Sequence, residues 1–251
     1  MSTAAQNEHD ALFPARNSSL AATDPELVAF FDDFAFDATL NDAAASSLDR
    51  HDRLVYQLGT IIAIGAITEF GVMLGAALDN GVTPVEAKEV VYQAVAYVGI
   101  ARVIDFVHLT NEILIGRGVT LPLEGQSTTT PETRAEAGLA VQKQIVGSAV
   151  VDGLYVNSPS DIAHFQRFLS ANCFGDYYTR RGLDVKQREL LTFSMLAALG
   201  GADNQVKAHV TANLNVGNTR ADLIAVLTVL LPFIGYPRTL NALAAVNTEA
   251  P

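Results

Sequence analysis

The chain has 251 residues, which suits one large domain or two small ones, and 49% of them are apolar, so a sizeable core can form. The formal net charge of -11 argues against a nucleic-acid partner, because phosphate binding requires clustered Lys and Arg side chains. Cys173 is the only cysteine, which excludes an intramolecular disulfide and a CxxC redox or zinc site. A single cysteine is typical of a reduced, cytoplasmic setting.

The N-terminal residues 1–22 lack the apolar run behind a basic start that defines a signal peptide. We expect them to form a mobile arm, or an arm that becomes ordered on a partner subunit. After Asp24 and Pro25, apolar residues at helical spacing, including Leu27 and Phe31, predict the first helix of the folded part.

The stretch from Leu54 to Leu78 is apolar enough to require a membrane test, and Glu69 is its only charged residue. It contains polar residues, and its flanks lack the Trp and basic clusters that mark a membrane span. We interpret it as helix buried in an oligomeric α-protein, with no membrane partner.

An internal repeat relates the residues near 48–102 to those near 183–238. The matches are ordered along the chain and involve Leu-Asp, Arg and Gly residues, which chance similarity between Ala-rich helices does not explain. They pair Leu48 with Leu183, Arg53 with Arg188, Gly65 with Gly200, Gly81 with Gly217, Gly99 with Gly235 and Arg102 with Arg238. Alternation of period two is absent, so the predicted fold class is all-α with two tandem helical repeats.

The breaks inside each repeat carry helix-end signals. Gly81 and Gly217 stand where a helix is followed by its C′ residue, and Thr83 and Thr219 stand where the next helix is capped. The Gly-, Pro-, Ser- and Thr-rich segment 116–134 predicts a linker.

The linker divides the chain into an N-terminal repeat, 23–115, and a C-terminal repeat, 135–251.

Histidine is the natural proton-transfer residue near neutral pH, and five are present. His209 lies four residues after Gln205 on a predicted helix, so the two side chains share a face. Glu189 lies on the preceding helix and could meet His209 inside the bundle. Such a contact would form either a proton relay or a buried ion pair without chemistry, and the spacing alone favours neither. For the other four histidines we expect structural or surface roles.

The run from Leu183 to Leu227, followed by Gly-Tyr-Pro-Arg, resembles the carboxymuconolactone decarboxylase family. The resemblance is strong over about 178–247 and weaker over about 48–110. The residues that fall on the family pattern are Arg188, Glu189, His209, Gly217, Thr219, Gly235 and Pro237.

The resemblance implies a cofactor-free lyase or isomerase that acts on a small carboxylated lactone or ring acid. In that interpretation His209 transfers the proton, Glu189 orients it, and Gln205 donates a hydrogen bond to the developing enolate. Arg188 or Arg238 binds the substrate carboxylate. No cofactor and no metal are expected, because no set of side chains shows metal-ligand spacing.

Two alternatives come from the same resemblance. The family has a redox branch similar to alkylhydroperoxidase D, which uses a CxxC pair where this chain has Ala202 and Gln205. An antioxidant protein, either thiol-independent or dependent on Cys173 alone, is therefore the runner-up and is disfavoured because the CxxC pair is missing. The other alternative is a non-catalytic oligomeric protein that binds a small acid.

The first repeat lacks the residues of the relay. Leu54 stands where the second repeat has Glu189, and Met73 stands where it has His209. We therefore expect a degenerate, structural first repeat. By resemblance, single-repeat relatives form rings of identical subunits, so a two-repeat chain predicts a homotrimer arranged as a pseudo-hexameric ring.

Overall fold

The computed structural model describes residues 1–14 and 18–251, and the described residues form α-helices, short 3₁₀ and π segments and loops. This confirms the all-α prediction. The helices are α1 (Thr3–Leu12), α2 (Pro25–Asp33), α3 (Arg50–Ile64), α4 (Ile67–Asp79), α5 (Pro84–Val98), α6 (Ile100–Gly116), α7 (Arg134–Val146), α8 (Ser148–Asn157), α9 (Ala163–Phe168), α10 (Val185–Leu199), α11 (Asp203–Asn215) and α12 (Arg220–Glu249).

The two repeats have the same helix pattern. Helices α3 and α10 are both 15 residues long, and α4 and α11 are both 13 residues long. Asp49 and Asp184 cap the starts of α3 and α10, since each side chain accepts a hydrogen bond from the backbone N–H three residues on. The repeat inferred from the sequence is therefore a structural repeat.

The long helix α12 of the second repeat corresponds to two helices of the first repeat, and a glycine marks the break in both. Gly99 separates α5 from α6 with φ 86°, and its counterpart Gly235 lies within α12 with φ 75°. Both backbones are in a left-handed region that favours glycine. Helix α12 is thus the counterpart of α5 and α6 joined across a kink.

The predicted caps are present in both repeats. Thr83 forms a capping box with Glu86 at the start of α5, and Thr219 forms one with Asp222 at the start of α12. Gly81 and Gly217 follow α4 and α11 with φ of 98° and 87°. These local signals fix the turns that bring each third helix back onto the core.

The centre of the molecule is the contact between α3 and α10, one helix from each repeat. Both helices bury almost their whole length. At Gly59 an added Cβ would lie 2.4 Å from Leu191 Cδ1, so the two helices approach closely there. The apolar stretch from Leu54 to Leu78 lies within α3 and α4. Gly65 ends α3, and both helices contribute to one shared hydrophobic core.

One helix of the described chain, α12, is long and apolar enough to span a membrane by length and composition. It is bent at Gly235, and 44% of its most apolar window is buried. Leu223, Val226 and Leu230 belong to the core shared with α3 and α10. Core helices of soluble proteins have the same properties.

The N-terminal arm differs from the expectation. Residues 3–12 form α1, which buries Ala5 and Leu12 in the main core. Glu8 on this helix binds both Arg50 and Arg53 of α3. The segment 3–12 is therefore packed on its own chain instead of extending as an arm, while residues 15–17 of the expected arm lie outside the described residues.

Residues 117–133, within the predicted linker 116–134, connect α6 to α7 without a helix. A π-helical segment, Leu169–Tyr178, follows α9 and packs on α7. The contact depends on two glycines, because an added Cβ at Gly138 would lie 2.0 Å from Ser170 O and one at Gly175 would lie 2.2 Å from Arg134 O. This segment places Cys173 beside Tyr97 of α5 and Tyr178 beside Thr192 of α10.

Candidate functional site

Glu189 and His209 meet between α10 and α11, as the spacing suggested they could. The imidazole Nδ1 lies 2.8 Å from Glu189 Oε2, which is a hydrogen bond of ordinary length. The Glu189 side chain is fully buried, whereas that of His209 is 15% exposed. The pair therefore joins the protein interior to the surface.

The hydrogen bond fixes the roles of the two ring nitrogens of His209. Because a carboxylate only accepts hydrogen bonds, Nδ1 carries the proton that is donated to Glu189. Nε2 makes no hydrogen bond within the described residues and lies on the partly exposed side chain. It is therefore the atom that can exchange a proton with a bound molecule.

Two residues that the sequence did not single out hold this pair in place. The buried Asn213 donates through Nδ2 to the backbone oxygens of Glu189, at 3.2 Å, and His209, at 2.7 Å. The ring of Tyr97, from α5 of the first repeat, lies edge-on to the imidazole with centroids 5.8 Å apart. Asn213 follows His209 by one helical turn, a spacing that could have revealed it.

The second oxygen of the Glu189 carboxylate has a different environment. Oε1 is buried and has no hydrogen-bond partner among the described residues. A buried carboxylate oxygen without a partner is costly, so its retention suggests a role other than stability.

Arg188, predicted to bind the substrate carboxylate, is fully buried and already has partners. Its guanidinium donates to Glu89 Oε2 at 2.9 Å, to Gln93 Oε1 at 2.8 Å and to the backbone oxygens of Arg180 and Arg181. A substrate would have to displace these contacts. The sequence could not show this, because Glu89 and Gln93 come from the first repeat.

The other two predicted site residues lie apart from the pair. Gln205 is exposed on α11 and makes no hydrogen bond to Glu189 or His209. Arg238 is exposed and lines a recess of about 20 Å³ with Ala202 and Asp203 near the start of α11. Six residues of helix, or roughly 9 Å, separate Asp203 from His209.

A chain of buried hydroxyl groups lies behind the pair. Tyr97 Oη is 2.9 Å from Tyr178 Oη, which is 2.7 Å from Thr192 Oγ1. Burial raises the pKa of both tyrosines well above its ordinary value, so both stay protonated.

The Cys173 thiol lies in the same cluster, with Sγ 3.7 Å from Tyr97 Oη. Burial raises the pKa of Cys173 to about 12. Because the thiolate is the reactive form, a thiol with this pKa is a poor nucleophile at neutral pH. This observation argues against the one-cysteine antioxidant alternative.

One group of described residues has the spacing of a metal site. Ligand atoms of Asp49, His51 and Asp52 lie within 4.8 Å of one another at the exposed start of α3. Two of these side chains already have structural roles, since Asp49 caps α3 and Asp52 Oδ1 accepts a hydrogen bond from Gln187. The geometry is explained by capping without an ion.

The comparisons agree with the fold. A model of the carboxymuconolactone decarboxylase family matches residues 25–112 and 163–248, one match for each repeat. A 4-carboxymuconolactone decarboxylase from Acinetobacter baylyi is 30% identical over 106 residues, which cover 42% of this chain and 78% of that protein. The chain therefore belongs to the carboxymuconolactone decarboxylase family, in a tandem arrangement of two repeats.

Proposed function

We propose that this protein is a cofactor-free lyase in which Glu189 and His209 form the acid–base pair, and that its substrate is a small carboxylated lactone or ring acid. The observation that carries the proposal is the 2.8 Å hydrogen bond between a fully buried carboxylate and the Nδ1 of a partly exposed histidine. A carboxylate behind an imidazole fixes its tautomer and stabilises its protonated form.

The proposed chemistry is decarboxylation with proton transfer to carbon. The bond to the departing CO₂ breaks, and its electron pair moves into the conjugated carbonyl system as an enolate. Protonated His209 then delivers the Nε2 proton to carbon and returns to the neutral imidazole, which is recharged from solvent. Glu189 stays ionised throughout and stabilises the imidazolium through Nδ1.

The substrate carboxylate needs a cation, and Arg238 is our candidate because it is exposed and lines the recess at the start of α11. Arg188 is better placed as a positioning residue, since it holds α10 to Glu89 directly beside Glu189. The exposed Gln205 retains its proposed role as a donor to the enolate only if the substrate lies over the outer face of α11.

Assembly is the second part of the proposal, because neither of the cavities described for the single chain is lined by His209 or Glu189. Large apolar side chains are exposed along α8 and α9, including Val156 at 82%, Phe165 at 61% and Phe168 at 62%. Monomers rarely leave such a surface open. We propose that the protein forms a homotrimer arranged as a pseudo-hexameric ring, in which a neighbouring subunit covers His209. We also propose that the protein is cytoplasmic.

The test of assembly is a charge placed in this apolar surface. Phe165→Asp together with Phe168→Asp should convert the oligomer to monomer in light scattering, with the circular dichroism spectrum unchanged. A wild-type protein that is already monomeric would contradict the proposed ring.

The test of the chemistry uses 4-carboxymuconolactone, the substrate in the name of the A. baylyi relative. The full-length protein should consume it with release of CO₂, and Glu189→Gln should lower kcat more than it changes KM. If the oligomer turns over neither this compound nor related lactone acids, or if Glu189→Gln is fully active, the lyase proposal is wrong.

A further inference from the structure

A second cavity lies between α5, α6 and the linker. Its volume is about 380 Å³, at the small end of the range for ligand sites. Neither Glu189 nor His209 lines it, and its residues come from α5, α6, the linker segment 121–126 and Arg180. It is therefore a separate site from the acid–base pair.

The cavity wall carries two cations, Lys88 and Arg180, and two carboxylates, Glu89 and Glu124. Glu89 is the buried carboxylate in its wall, and it is shared between Arg180, with Nη2 at 2.8 Å, and Arg188, with Nη2 at 2.9 Å. Glu124 also lines the cavity, but it is exposed at the rim. Glu89 is thus already neutralised by two guanidinium groups, that of Arg180 in the wall and that of Arg188, which does not line the cavity.

Lys88 is the cation of the wall that remains without a carboxylate partner among the described residues. Lys88 is only 8% exposed, and its ammonium group donates a hydrogen bond to Asn111 Oδ1 on α6. It makes no salt bridge within the described chain, although an ammonium group has three hydrogens to donate. Burial lowers the pKa of Lys88, which is the expected response of an unpaired ammonium group in a poorly solvated site.

The rest of the wall is flat and apolar. The ammonium of Lys88 lies 5.3 Å from the centroid of the Tyr92 ring, and the guanidinium carbon of Arg180 lies 5.2 Å from it. Leu121 and Leu123 of the linker lie across the cavity from α5. A ligand with a flat unsaturated body would find an aromatic ring and aliphatic side chains beside the two cations.

We infer that this cavity binds a small organic carboxylate with a flat, unsaturated body, and that its carboxylate pairs with the Lys88 ammonium. The carboxylate would accept the free hydrogens of Lys88 and lie within reach of Arg180, while the body would lie along Tyr92. This binding site does not depend on the acid–base role of His209.

The experiment is calorimetric titration of the full-length protein with sodium benzoate, with benzamide as a neutral probe of the same shape. Benzoate should bind and benzamide should not. Lys88→Met should weaken benzoate binding about ten- to hundredfold, the range expected for one lost charged hydrogen bond. The matched control is Lys143→Met. Lys143 lies on α7 and forms a partly exposed salt bridge with Asp152 of α8, so this change should leave the benzoate affinity unchanged.

Stability gives an independent readout of the same variant. Because Lys88 is an unpaired buried cation in the free protein, Lys88→Met should unfold at the same or a higher temperature than the wild type and should lose the benzoate-induced increase. If Lys88→Met does not fold, Tyr92→Leu, which removes the ring and keeps the charge, should also weaken benzoate binding.

Three results would overturn the inference. One is the absence of binding for benzoate, cinnamate and fumarate up to about 10 mM, since a weaker affinity corresponds to less than about 3 kcal/mol of binding free energy. Another is equal binding of benzoate and benzamide, or equal binding by wild type and Lys88→Met. The third is Lys88-dependent binding of inorganic phosphate without binding of benzoate, which would identify a phosphate site.

Discussion

The two repeats share their helices, caps and glycine breaks but differ at the two positions for which we propose acid–base chemistry. In the second repeat, Glu189 and His209 form a hydrogen-bonded pair that reaches the surface. In the first repeat, Leu54 and Met73 stand at the matching positions and are 0% and 1% exposed in the core. A buried apolar pair fills the same space without any need for partners, so the fold is retained where the relay is lost.

A buried arginine is common to both repeats, but its partner comes from a different place in each. Arg53 binds Glu8 of the N-terminal helix α1. Arg188 binds Glu89 of α5, which belongs to the first repeat. The first repeat therefore supports the second one directly, through the side chain that precedes the Glu189 carboxylate in the sequence.

The sharpest way to break the comparison is to remove the proton-transfer group. His209→Ala should reduce turnover of the proposed substrate about a hundred- to ten-thousandfold, the usual contribution of a general acid, while the oligomer stays intact. Steady-state kinetics and light scattering would measure both effects.

The matched control is Met73→Leu at the equivalent position of the first repeat. Met73 is 1% exposed, and the change keeps an apolar side chain of similar volume. It should leave turnover within about threefold of the wild type. Full activity of His209→Ala, or an equal loss in both variants, would show that the asymmetry between the repeats has no chemical meaning.

Arg188→Met tests whether the repeats depend on each other for stability. It leaves Glu89, 1% exposed, with only Arg180 as its cation, and should lower the free energy of unfolding by about 3–5 kcal/mol. Arg53→Met should cost less, because the Glu8 side chain is 16% exposed and also binds Arg50. Urea unfolding of both variants would decide the order, and equal losses would contradict it.

Local sequence signals predicted more of the fold than of the site. The capping residues Thr83 and Thr219 and the breaks at Gly81 and Gly217 depend on neighbours within four residues, so they could be identified from spacing alone. The sequence could not show that α1 packs on its own chain, because apolar residues recur only weakly at helical spacing in this short polar helix.

The candidate site was predicted in part for the same reason. The meeting of Glu189 and His209 follows from two adjacent helices, whereas the contact of Tyr97 with His209 joins residues 112 positions apart in different repeats. Helical spacing places Gln205 on the face of His209 but does not show how far that face turns towards solvent. Likewise, spacing could not reveal that Arg188 is enclosed by Glu89 and Gln93.

A smaller effect is expected at the thiol behind the pair. Cys173→Ala should cost about 1 kcal/mol of stability for the lost buried sulfur and leave turnover within about threefold. The pKa of about 12 means that the thiol stays protonated at neutral pH, so no thiolate chemistry is lost. A large loss of peroxide-consuming activity in this variant would restore the antioxidant alternative.

The smallest effect is a pH dependence that belongs to one repeat only. Burial opposes ionisation of His51, but its hydrogen bonds to Asp52 and Glu86 raise its pKa overall. Its stabilisation is therefore complete below the unfolded pKa of about 6.5 and is lost as the pH rises through the higher folded pKa.

The counterpart of His51 in the second repeat is Lys186, whose Nζ donates to Gly217 O at 2.9 Å. His51→Gln should flatten the change in unfolding free energy between about pH 5.5 and about pH 8.5 by less than about 1 kcal/mol. Lys186→Gln is the matched control and should leave that slope unchanged. An identical slope in wild type and His51→Gln would remove His51 as its source.

The ion pair between Arg188 and Glu89 also determines what counts as one folding unit. The linker divides the sequence into two copies, but a fragment that began there would leave a fully buried guanidinium without its carboxylate and expose the face of α10 that packs on α3. Neither copy is an autonomous domain in this arrangement. The two repeats should therefore unfold in one transition, and neither should fold when it is expressed without the other.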